Sequence, residues 1–137
     1  MRHQAELHSW LMRRALSLDF GGSWVLPRLI GLHRAKEVAF FGDMLSAREA
    51  AEYGLVNRVV PAAELDGFVE GWARRLAEGP SLALSMIKTQ LNAGLAASYP
   101  QAVEAEAQAQ AVNFSTADFA EAVQAFRGRR DPKFQGR

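Results

Sequence analysis

Few residues in this chain have side chains suited to chemistry, and most of them fall at expected turns. Asp19 stands just ahead of Gly21-Gly22, with Ser23 and a helix-forming run behind. An aspartate before two glycines is ordinary turn chemistry, since its side chain bonds nearby backbone and glycine accepts a left-handed bend. Two glycines opening a helix also admit a second reading, a phosphate cradle built from backbone N–H groups. A tight turn is the plainer reading, and a lone glycine pair is weak evidence for anything more. His3, His8 and His33 are scattered without metal-ligand grouping and read as surface residues. The chain has no cysteine, which excludes disulfides, thiolate chemistry and cysteine-bound metals. Arg127, Arg129, Arg130 and Lys133 form a basic cluster that by itself reads as a solvated end.

The elements that must position these residues are helical. A chain of 137 residues with 49% apolar content fits one domain with a core. Its 16 basic and 15 acidic residues nearly cancel, leaving a net charge of +1 and no reason to expect a nucleic acid or membrane partner. The start has early charges and no long apolar run, so neither a signal peptide nor a membrane span is expected there. A cytoplasmic protein fits this composition.

Periodicity predicts a short amphipathic helix over residues 5–16, with Leu7, Trp10, Leu11 and Ala15 on one side. Ser23 is the expected N-cap of the next helix, and Pro27 falls in its first turn. Gly31 and Gly42 separate a further helix. Ser46-Ala47-Arg48-Glu49 has the pattern of a capping box, and Gly54 should stop the helix it opens. Residues 55–60 are the one expected strand, with Val56, Val59 and Val60 ahead of Pro61. Helices follow over 62–78, from Ser81 to about 91, and over about 101–114. A last helix begins at a capping box in Ser115-Thr116-Ala117-Asp118, and residues 127–137 are expected to be irregular. Trp24, Phe68, Trp72 and Phe119 fall on apolar faces and are expected in the core rather than against a ligand. The fold class is therefore mainly α with one short strand. A single strand forms no sheet, which points to a piece of something larger.

Ordered motifs carry the reading further. Asp19-Phe20-Gly21-Gly22-Ser23-Trp24-Val25-Leu26-Pro27-Arg28-Leu29-Ile30-Gly31 is followed by Leu45-Ser46-Ala47-Arg48-Glu49-Ala50. Next come Gly54-Leu55-Val56-Asn57-Arg58-Val59-Val60-Pro61, then Gly79-Pro80-Ser81 with Lys88. The train ends in Ala125-Phe126-Arg127-Gly128-Arg129-Arg130-Asp131-Pro132-Lys133-Phe134. In order and spacing this resembles the C-terminal half of the enoyl-CoA hydratase/isomerase (crotonase) superfamily, over about residues 13–137. The resemblance implies the helical C-terminal part of a crotonase-type α/β fold, whose N-terminal part is a spiral of ββα units. Residues 1–16 are a helix without a clear family match, and 17–137 are the helical region with the trimerisation helices.

That resemblance implies an acyl-CoA thioester as substrate, with CoA part of the substrate and no cofactor. Family members hold an enolate in an oxyanion hole of two backbone N–H groups, preorganised electrostatics that often dominates catalysis. Those donors and the two hydratase glutamates lie upstream of the glycine pair in the family pattern, so this chain is expected to be the half without them. Asp19 stands where isomerase branches place a proton-shuttling aspartate. Leu18 and Phe20 beside it would supply an apolar setting that raises a carboxyl pKa toward working pH. Lys133 and Phe134 match the tail that approaches CoA, and Phe126 belongs to the same segment. Two functions stay open. One is an enzyme subunit that transfers a proton at an enolate stage, as a homo-oligomer (trimer or hexamer) or with a partner chain carrying the N-terminal half. The other is a non-catalytic oligomerisation or binding remnant of that family.

Overall fold

This computed structural model describes residues 14–137 and, in backbone only, residues 6–8. The chain divides into two compact units, Met1–Leu65 and Asp66–Arg137. The expectations for Trp10, Leu11, His3 and the side chain of His8 lie outside the described residues. Within the expected 5–16 helix, Glu6–His8 instead forms a strand, β1.

In the first unit β1 pairs antiparallel with β2 (Met44–Ser46), Leu7 opposite Leu45. Between them run α1 (Gly22–Ile30) and α2 (Leu32–Phe41). Gly31 at φ 78° joins these helices, its N–H donating to the Pro27 carbonyl at 3.1 Å. A side chain is strained at that φ, so a glycine is what lets one helix stop and the next begin without a loop. Ile30, Ala35, Val38 and Leu45 form the core cluster, with Leu26, Tyr53 and Leu55 against it.

The capping box at Ser46 forms as expected and opens α3 (Ala47–Tyr53). The Ser46 hydroxyl accepts from the Glu49 N–H at 3.2 Å, and Glu49 accepts from the Ser46 N–H at 2.8 Å. The Ser46 hydroxyl, which donates to the Glu49 carboxylate at 2.7 Å, and then the Ser46 N–H hold that carboxyl below its ordinary range. Ser46→Ala removes both bonds of the hydroxyl to Glu49 and should destabilise the first unit by about 1 kcal/mol. Chemical denaturation compared with wild type reads this, and an unchanged midpoint would count against the cap.

Residues 55–60, the expected strand, are not one. Gly54 adopts φ 85°, and its N–H and that of Leu55 return to the last carbonyls of α3, a Schellman-type stop. Leu55 thereby becomes the apolar residue closing the helix end onto the core, and Val56 and Val59 are left exposed. Branched residues favour extended backbone, but strand formation needs a partner, and β2 is already paired with β1. The mainly helical class holds, with strand pairing confined to two three-residue segments among the described residues.

The second unit holds α4 (Leu65–Ala77, reached through a 3-10 turn at Ala62–Glu64), α5 (Ser81–Gly94), α6 (Tyr99–Phe114) and α7 (Ala117–Arg127). Helices α5 and α6 pack together, with Gln90 donating to the Ala105 carbonyl at 3.3 Å. Phe114 and Phe119 meet edge to face, ring centres 5.0 Å apart, where α6 gives way to α7. Ser115 is not the cap of α7; Thr116 is, its hydroxyl accepting from the Phe119 N–H at 3.1 Å.

The aromatic residues expected in the core are not buried. Trp24 is 47% exposed and Trp72 41%, and Phe119 is also exposed. Trp24 stacks instead under the Arg28 guanidinium, 4.0 Å from its ring centre. Phe68 and Trp72 pair with each other along α4. Periodicity marks which face of a helix is apolar; it does not supply what covers that face.

Candidate functional site

The turn carrying Asp19 is tight. The Asp19 carbonyl accepts the Gly22 N–H at 2.8 Å, with Phe20 at φ 47° and Gly21 at φ 76° between them. Two successive left-handed residues make a turn of the primed kind, which Gly21 accepts freely and Phe20 does not. The turn delivers Gly21 as the N-cap of α1, two positions earlier than expected, so Ser23 lies inside the helix. The Gly22 N–H is committed to this turn, and the glycine pair is the tight turn rather than the phosphate cradle.

Because the turn uses the Asp19 main chain, the carboxylate is left over. It has no hydrogen bond or ion pair among the described residues and is exposed. Phe20 is 100% exposed and Leu18 38%. The apolar setting expected from these neighbours is therefore absent among the described residues, because the left-handed turn leaves the Phe20 ring fully exposed.

The three tail candidates lie in the second unit, and the structure separates them. Phe126, in the last turn of α7, is 85% exposed. Phe134 is half-buried and lines a cavity of about 670 Å³ among α5, α6 and α7, with Leu82, Ile87, Val103 and Ala122 also in its wall. Lys133 extends its side chain into solvent, and its backbone N–H donates to Glu121 at 2.9 Å.

Residues 127–137, expected to be irregular, are so from Gly128 on, yet the segment is tied to α7. Arg130 meets Glu121 with two guanidinium nitrogens, at 2.6 and 2.9 Å. Asp118, 6% exposed, accepts the Gln135 N–H at 2.7 Å and the Gly136 N–H at 2.9 Å. Its own N–H donates to the Arg137 carbonyl at 3.0 Å. The basic cluster is thus divided in role, with Arg130 holding the segment down. Sequence reasoning read Asp118 only as part of a cap and passed over Glu121, although acids three apart on one helix face a basic segment was the available signal.

The Arg130 guanidinium and then the Lys133 N–H lower the Glu121 carboxyl from its ordinary 4.5 to about 2. A carboxyl with a depressed folded-state pKa contributes stability above its unfolded pKa and loses it as pH falls through the folded value. The thermal midpoint of wild type should exceed that of Glu121→Gln at pH 6, and the gap should close between pH 4.5 and about 2. A gap that stays constant to pH 2 would contradict this anchoring.

Among the described residues no group of three His, Asp or Glu is placed to hold a metal, and no helix is long and apolar enough to cross a membrane.

The profile of the enoyl-CoA hydratase/isomerase family matches residues 12–137, and the chain belongs to that family. It is 40% identical over 125 residues to a "Probable enoyl-CoA hydratase" of Rhodobacter capsulatus, covering 91% of this chain and 49% of that protein. It is 35% identical over 119 residues to 1,2-epoxyphenylacetyl-CoA isomerase of Escherichia coli, covering 87% and 45%. The crystal structure of an enoyl-CoA hydratase from Bacillus anthracis superimposes with a TM-score of 0.92 at 34% identity, covering 97% of this chain and 52% of that one. The chain spans about half the length of the curated relatives it matches.

Proposed function

We infer that this chain is part of an acyl-CoA enzyme that works through an enolate, with Asp19 carrying a proton between carbons of the acyl chain. The observation that carries this reading is the Asp19 turn. Its hydrogen bond uses the main chain, so a carboxylate is held at the start of α1 with its oxygens free to accept and return a proton. Relatives named as acting on CoA thioesters by hydration and by isomerisation support the substrate class. In this reading Phe126, Lys133 and Phe134 contact the CoA portion, CoA is substrate and no separate cofactor takes part. The protein works in the cytoplasm, as a homo-oligomer (trimer or hexamer) or with a chain that supplies the ββα spiral. That neighbour also supplies the dry surroundings Asp19 lacks here, and the water exclusion that makes such electrostatics effective.

A second reading is favoured by a different observation. Leu65, Val69, Trp72 and Leu76 of α4 are all at least 41% exposed, an apolar face suited to association rather than chemistry. In that reading the chain is a non-catalytic oligomerisation remnant.

The deciding experiment isolates the native complex from the source organism, identifies its subunits by mass and assays it with enoyl-CoA thioesters. Turnover by a complex containing this chain supports the first reading. A stable homo-oligomer without turnover of any enoyl-CoA, before or after adding an N-terminal-half chain, supports the second.

A further inference from the structure

We propose that residues 130–137 form a strap that opens and closes as one unit, held by a two-point clasp of Asp118 and Glu121 and closing the wall of the α5–α7 cavity with Phe134. The acyl-CoA reading is not needed for this; the proposal stands on the geometry of the second unit alone.

Asp118 and Glu121 are three apart on α7 and so share one face. Each grips a different stretch of the segment. Glu121 takes the Arg130 guanidinium and the Lys133 N–H, and Asp118 takes the Gln135 and Gly136 N–H groups. Phe134, which lies between the two grips in sequence, lines the cavity. Within the second grip, Gly136 passes the first residue of α5 so closely that an added Cβ would stand 2.6 Å from the Ser81 hydroxyl, and its φ is +75°. Asp118 is the buried charged residue of the described chain, and its carboxylate is satisfied by the segment alone. Removing the segment leaves that carboxylate to water, and removing the carboxylate leaves two N–H groups without acceptors. With contacts at both ends and an aromatic ring seated between, loss of one grip lowers the effective concentration of the other. The clasp therefore behaves cooperatively.

Amide hydrogen exchange on the 137-residue chain tests this directly. The amides of Lys133, Gln135 and Gly136 should exchange slowly in wild type. Asp118→Asn keeps the shape and offers one acceptor oxygen where two are needed. It should speed exchange at all three positions by about tenfold, one hydrogen bond's worth, including Lys133, whose partner is Glu121. Glu121→Gln should do the same in reverse at Gln135 and Gly136, with α6 amides unchanged. Where Asp118→Asn disturbs α7 itself, Gly136→Ala decides, since a side chain at that left-handed φ strains the strap at its second grip while both carboxylates stay in place, and it should also speed Lys133. Lys133 exchange within twofold of wild type in Asp118→Asn or, failing that, in Gly136→Ala overturns the proposal, as does fast exchange at all three amides in wild type.

Discussion

Asp19→Asn should lower double-bond migration in an enoyl-CoA by roughly 10²–10⁴-fold in the assembled protein, the usual contribution of a positioned general base. Asparagine keeps the size of the side chain but cannot take a proton. The fold should be indifferent to the change, because the turn is closed by the Asp19 carbonyl and asparagine suits a turn position as well as aspartate does. The loss should appear in kcat with KM little altered, since the carboxylate acts on the reacting carbons rather than on CoA. Steady-state kinetics with a thermal melt of the variant separates the outcomes. A rate within threefold of wild type, with the fold intact, removes Asp19 from the mechanism and leaves it a turn residue.

Ile30→Ala carries the largest expected effect on stability, about 2–4 kcal/mol. Ile30 is 8% exposed and sits in a core cluster of four buried residues, so there is little packing to share the loss. It is also the last residue of α1, and its side chain ties that helix to α2 just where Gly31 turns the backbone. Ile30→Val should cost about 0.5–1.5 kcal/mol, removing one methylene from the same place. Chemical denaturation of both variants measures the series. A cost for Ile30→Ala below about 1 kcal/mol would mean that this cluster is not what holds the first unit together.

The local parts of this structure were legible from sequence, and the non-local parts were not. Ser46 with Glu49, and the glycine stops at 31, 42 and 54, are decided within four residues of backbone, and all appear as expected. The helix start at Ser23 failed for a local reason, since left-handed Gly21 already turns the chain into α1. Ser81 failed likewise, with Pro80 at the cap position and Ser81 the first residue of α5. Ser98 and Gln101 carried a readable capping pattern that opens α6 at Tyr99, ahead of the expected 101. The strand was misplaced because β1 and β2 find each other across 38 residues and branched side chains name no partner.

The candidate site divides the same way. Asp19 and its glycine turn are recognisable from residue order, whereas the exposure of Phe20 follows from a positive φ that no propensity for phenylalanine suggests. Asp118 grips backbone 17 and 18 residues away, and such a bond leaves no trace in periodicity. The basic cluster was visible as charge alone; its division between a bonded Arg130 and an exposed Lys133 depends on where the segment folds back.

The most direct test of enolate chemistry is solvent exchange at carbon. The native complex containing this chain, isolated from its source organism, is incubated with saturated and unsaturated acyl-CoA thioesters in D₂O, and deuterium next to the thioester carbonyl is followed by mass spectrometry. Catalysed wash-in, lost when Asp19→Asn replaces the wild-type chain, is the predicted result. No incorporation into any of these thioesters, from a complex that is intact by mass, would contradict it.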